Sequence, residues 1–138
     1  MFIQLFKIIE TDLSFLFTSK RFKTLQVDFS NSDIDCSCVI YNDIVSLYLS
    51  SENKQVFLGL KKTVTSEYNP DYFGISVISE YFNEIISESS EYQSEYADFL
   101  ERKLNEILII FDNENYPQTR QNLKQIEVNK AKRLYPSW

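Results

Sequence analysis

The chain has 138 residues, with 20 acidic side chains against 14 basic ones, no histidine and a net charge of −6. The missing imidazole excludes Ser-His-Asp and Cys-His nucleophile systems, His-ligated zinc and a histidine pH switch, and two glycines are too few for a glycine-rich phosphate loop. The length suits one domain whose core needs neither disulfide nor metal, and the acidic balance argues against general nucleic-acid binding, which wants a basic surface.

In chain order, apolar residues at 2, 5, 6, 9, 13, 16 and 17 follow a helical rhythm and predict a helix over 1–22. A strand over 2–8 competes, because Phe and Ile favour strands. No basic residue precedes this apolar run and no small-residue cleavage site follows it, so it does not read as a secretory signal. Lys7, Glu10 and Asp12 interrupt it well short of a membrane span. These features predict a soluble, cytoplasmic protein without a membrane partner.

From Thr24 to Lys62 the period changes to two. Leu25, Val27 and Phe29 form one run, followed by Cys36, Cys38 and Ile40, then Val45, Leu47 and Leu49, then Val56, Leu58 and Leu60. The polar links Asn31-Ser-Asp33, Asn42-Asp43 and Ser51-Glu-Asn-Lys54 are short, which predicts an antiparallel meander over 24–62 with one covered face. Asn42-Asp43 reads as a two-residue turn using left-handed backbone. Cys36 and Cys38 point to one face of a strand, too far apart to bridge easily, and read as buried thiols in a reducing compartment.

Tyr68-Asn-Pro-Asp71 is a turn, and Tyr72 to Ile78 fits either a fifth strand or a helix start. From Ser79 onward Phe82, Ile85, Ile86, Tyr92, Tyr96, Phe99, Leu100, Leu104, Ile107, Leu108 and Phe111 keep a helical period, giving an acidic amphipathic helix or helix pair over 79–112. A last helix is predicted over 118–133. The whole reads as a single α+β domain over 1–138: a four- or five-stranded antiparallel meander sheet with helices packed on one face.

The most unusual pattern is a carboxylate series, Glu80, Glu84, Glu88, Glu91, Glu95 and Asp98, spaced to share one face of a continuous helix. Segment 80–106 holds eight acidic residues against Arg102 and Lys103, which accounts for the charge of the whole molecule. Like charges four apart cost about 0.2–0.5 kcal/mol per pair, so their retention points to a basic partner. Two plainer readings compete: carboxylates favour helix N-termini, and Ser90-Glu-Tyr-Gln93 matches a capping box that would split the helix near Ser87–Ser90. Asp28, Asp33, Asp35 and Asp43 form a second acidic set, but Asp33 and Asp35 supply too few oxygens for calcium, and turn-forming aspartate explains them. No metal site or cofactor is predicted. The C-terminal segment is the reverse, with Arg120, Lys124, Lys130, Lys132 and Arg133 against Glu127. Lys132, Arg133, Tyr135 and Trp138 could contact phosphates and bases, but pairing with the acidic helix of the same domain is the favoured reading. Tyr41, Tyr48, Tyr68 and Tyr72 are candidates for exposed, protein-binding tyrosines.

With its acidic helix, its lack of catalytic motifs and its tyrosine excess, the chain resembles the small immunity proteins of bacterial polymorphic-toxin and contact-dependent growth inhibition systems. The resemblance is one of general character and carries over no residue. It implies a non-enzymatic cytoplasmic protein that binds a cognate toxin domain, often a basic nuclease, and blocks it. Glu80, Glu84, Glu88, Glu91, Glu95 and Asp98 would then face the toxin's lysines and arginines, with charge raising association rate and selectivity. A small carboxylate-dependent enzyme and a phage-encoded nucleic-acid mimic directed at a defence nuclease are the alternatives.

Overall fold

A computed structural model describes residues 2–19, 22–29, 36–63 and 71–136. Asp33, Asp35, Tyr68, Trp138 and the Asn31-Ser-Asp33 link lie outside them, as does the side chain of Asp28.

Two short helices replace the predicted first one, α1 (Phe2–Glu10) and α2 (Phe15–Ser19). The interruption is local chemistry. Thr11 Oγ1 donates to the Lys7 carbonyl at 2.5 Å, Ser14 Oγ donates to the Thr11 carbonyl at 3.0 Å, and the Leu13 amide reaches the Ile8 carbonyl at 3.1 Å. Side chains that bond nearby backbone groups compete with the helical ladder in this way. Leu5, Leu13 and Leu16 are buried as the pattern predicts, but Ile8 is buried where Ile9 was expected, and Phe6 and Phe17 are exposed, so the inward face is narrower than predicted.

The meander is present. Strands β1 (Lys23–Phe29), β2 (Cys36–Tyr41), β3 (Val45–Glu52), β4 (Gln55–Lys62) and β5 (Tyr72–Gly74) pair antiparallel in sequence order as a five-stranded sheet. Cys38 sits opposite Leu49 and Leu49 opposite Leu58; Ile40, Leu47, Leu60 and Phe73 form the next row. These rows are the buried face, and apolar residues of α1 and of the later helices join them in one core. Residues of the opposite face, including Ser37, Val39, Tyr41, Tyr48 and Phe57, are half-buried, and Tyr72 is exposed.

The left-handed turn occurs one hairpin later than expected. Asn53 and Lys54 have φ of 50° and 68°, and they join the paired residues Glu52 and Gln55. Positive φ at both central positions is what a two-residue hairpin needs to match strand twist. Asn42 works instead through its side chain, whose Oδ1 accepts from the Ile44 and Val45 amides at 2.9 Å each.

The ambiguous segment after Asp71 is both things in turn: β5, then α3 (Ile75–Tyr81). Asn83 ends α3. At φ 59° it donates its amide to the Glu80 carbonyl, and the Glu84 amide reaches the Ser79 carbonyl, both at 2.9 Å. This paired closure around one left-handed residue is a Schellman stop. A helix resumes only at α4 (Ser94–Ile110), with Gln93, not Ser90, at its N-cap. Of the two options read over 79–112, one helix or a helix pair, the structure has two helices, but they are separated by a non-helical segment from Phe82 to Gln93 and do not meet near Ser87–Ser90. The last helix, α5 (Tyr116–Leu134), has Pro117 in its first turn, where the missing amide costs nothing.

Candidate protein-binding surface

The carboxylate series does not form one stripe. Glu80 lies on α3, Glu84, Glu88 and Glu91 lie on the non-helical segment, and Glu95 and Asp98 lie on α4. The backbone of that segment explains its path. The Tyr92 amide donates to the Val56 carbonyl at 2.6 Å and the Leu58 amide to the Ser90 carbonyl at 3.3 Å, so Glu91 pairs opposite Phe57 and prolongs the line of β5 along β4. Tyr96, fully buried, donates its hydroxyl to the carbonyls of Ser89 at 2.5 Å and Ser87 at 3.3 Å and thereby pins the loop. Ser90, expected to cap a helix, instead places its Oγ 3.2 Å from Ser76 Oγ.

Three of the six carboxylates meet cations of the same chain. Arg133 near the end of α5 donates to both oxygens of Glu80 at 3.3 Å and to Glu88 at 3.2 and 3.0 Å. Those bonds, to Glu88 first and then Glu80, hold the guanidinium above its ordinary proton affinity. Glu84 receives Arg102 of α4 at 3.0 Å. Lys130 donates to Ser76 Oγ; burial lowers its proton affinity against the opposing pull of Glu88 and Glu80. Further along α5, Arg120 and Lys124 bind Asp71 at 2.5 and 3.1 Å. The basic C-terminal helix pairs with its own domain, as the charge pattern favoured.

The other three carboxylates are arranged differently. Glu95 and Asp98 are exposed, and neither forms an ion pair among the described residues. Glu91 is half-buried, with Gln55 Nε2 at 3.5 Å from its Oε2. Behind them the Tyr92 hydroxyl donates to Asp12 Oδ2 at 2.5 Å, joining α4's approach to the end of α1. Burial, this bond and the charges of Asp12, Asp98 and Glu95 all push the phenol's proton affinity up. Asp12, Glu95 and Asp98 thus all act on the Tyr92 hydroxyl, and none of the three forms an ion pair among the described residues. Asp12 was invisible as a site residue in the sequence, where it served only to interrupt an apolar run.

Of the tyrosine candidates, Tyr72 lies across Gly59 and meets Tyr48 edge-on at 5.4 Å between ring centroids. Tyr41 and Tyr48 are half-buried on the same sheet face. No helix of the described residues is long and apolar enough to cross a membrane, and no group of three potential metal-ligating side chains occurs among them. Comparisons with protein-family models, with curated proteins and with solved structures found no match.

Proposed function

We propose that this protein is an immunity-type inhibitor that binds a toxin domain in the cytoplasm, one to one, through acidic surface complementarity and without performing chemistry of its own. The observation that supports the reading is the patch around Tyr92. Glu95 and Asp98 stand exposed and without an ion pair among the described residues, and with Asp12 they act on the Tyr92 hydroxyl, which donates to Asp12. An acidic patch with no internal counter-ion attracts a basic surface over about a Debye length, roughly 8 Å at physiological salt. The partner of matching chemistry is a nuclease domain whose nucleic-acid groove is lined with lysine and arginine.

The test is protection. The chain is co-expressed with a toxin domain encoded beside its gene, and growth is measured for wild type and for the Glu95→Lys/Asp98→Lys pair, with folding checked by circular dichroism. Growth restored by wild type and lost with the folded reversal variant supports the proposal. Equal protection by both overturns the role of the patch, and no protection by either overturns the inhibitor reading.

A further inference from the structure

We infer that the last two turns of α5 form a detachable latch, in which Arg133 occupies a guanidinium site built by Glu80 and Glu88 that an arginine of a basic partner takes over when the latch lifts. The inference rests on the reading above for the partner's basic character, and on none of the residues that carry that reading.

The helix is held unevenly. Its first half is rooted by buried Tyr116, Thr119 and Leu123 and by the Asp71 ion pairs. Beyond Leu123 no residue of α5 is fully buried, and Val128, Ala131, Lys132, Leu134 and Tyr135 are exposed. Ile126, within a turn of Leu123, still packs against the core, and in the last two turns the helix is held by Lys130 on Ser76 and by Arg133 on Glu80 and Glu88. Exposed ion pairs contribute little net stability and weaken with salt. Regions with few buried apolar contacts open locally long before the whole molecule unfolds. Ala131, Lys132, Arg133 and Leu134 are good helix formers, so the end can leave its site without losing its own helix.

The site it covers is shaped for a guanidinium. Arg133 meets Glu80 with two nitrogens, Nη1 on one oxygen and Nη2 on the other, while Nη2 also faces both oxygens of Glu88; the two-nitrogen contact with Glu80 is the part that a lysine ammonium cannot reproduce. Because Arg133 is tethered, it competes at a high effective concentration, and an incoming arginine sees only the fraction of molecules whose latch is open. Release would add Glu80 and Glu88 to the acidic surface.

The experiment measures binding of a nona-arginine peptide by fluorescence anisotropy at about 50 mM salt, where screening is weak. Arg133→Ala is compared with Lys132→Ala, which removes the same charge from an exposed neighbour that forms no ion pair among the described residues. The latch predicts at least about threefold tighter binding for Arg133→Ala, little change for Lys132→Ala, and loss of the gain when Glu80→Gln and Glu88→Gln are added. Circular dichroism confirms the fold of each variant, with Arg133→Gln as a second substitution if the first is unstable. Equal affinity for the Arg133 and Lys132 variants, or a gain that survives Glu80→Gln/Glu88→Gln, overturns the inference. Neither result touches the protection assay on Glu95 and Asp98, so the two readings fail separately.

Discussion

Replacing Gly59 by alanine tests whether the open face of the sheet is organised around Tyr72. A Cβ at position 59 would fall far inside the 3.0 Å that real Cβ atoms keep, against Cζ, Oη and Cε2 of the Tyr72 ring. The backbone there has ordinary negative φ, so the conflict is steric and not conformational. The ring is the yielding part, because β5 is three residues long and Tyr72 is 41% exposed. Swinging it aside breaks the edge-on contact with Tyr48, worth about 0.5–1.5 kcal/mol, and uncovers part of the ring. Against that, alanine in a strand interior is favoured over glycine by roughly 0.5–1 kcal/mol. Gly59→Ala alone is therefore expected to destabilise by up to about 1 kcal/mol. In a Tyr72→Ala background the clash is gone, and the same substitution is expected to be neutral or to stabilise by about 0.5 kcal/mol. The coupling across the double-mutant cycle is then about 0.5–1.5 kcal/mol, the worth of the Tyr48 contact and within the range measured for residues in direct contact. Urea unfolding of the four proteins, followed by far-ultraviolet circular dichroism, measures it. Additive effects, with Gly59→Ala costing the same in both backgrounds, would refute the reasoning.

Tyr96→Phe removes the hydroxyl that pins the Ser87–Ser89 loop and leaves two carbonyls short of a donor, so stability should fall by about 1–2 kcal/mol and amide exchange should rise in that loop. Unchanged exchange would show that the loop is held by its sheet-like pairing alone. Asp71 is held below the ordinary carboxylate range: burial pushes its proton affinity up, but hydrogen bonds from Lys124 and Arg120 outweigh it. Its contribution to stability is therefore fully present above the unfolded-state value and is lost as pH falls through the lower folded-state value. Asp71→Asn should be less stable at neutral pH and should show a shallower loss in acid, measured as urea midpoints against pH. Burial, with Cys36 nearby, pushes the Cys38 thiol up to about 11, and both thiols are buried. Native protein should therefore react with a disulfide reagent at pH 8 only as fast as it opens, and labelling within seconds without denaturant would contradict the structure.

How legible the fold was depends on the range of the forces involved. The meander could be read because burial of one face enforces alternation: Cys36 to Ile40 keep it strictly, and in the next two strands Val45, Leu47, Leu49, Val56, Leu58 and Leu60 are all buried although Ser46 and Gly59 on the other face are buried too. The first helix misread at Thr11 and Ser14, where short polar side chains take backbone partners that periodicity does not register. In the acidic segment the helix pair was foreseen as one of two options, but its break was placed near Ser87–Ser90 and begins at Asn83, a single left-handed residue that stops α3 inside an unbroken run of helical spacing. Downstream of that stop, sheet-like hydrogen bonds to Val56 and Leu58 outcompete local propensity across Ser90 to Tyr92. The surface followed the same rule. Charge counting along the chain found the carboxylates and favoured the basic helix as their internal partner, which holds for Glu80 and Glu88, whereas Glu84 takes Arg102 of α4.

What the amino-acid order determined by itself was the class of the molecule: its acidity, its lack of histidine, and a sheet whose register follows from alternating burial. Only the tertiary structure decided which charges remain available. Arg133 lies 45 residues from Glu88 along the chain and 3.0 Å from it in space, while Asp12 and Tyr92, 80 residues apart, share a hydrogen bond. Electrostatic pairing depends on distance in space, and the folded backbone alone sets that distance.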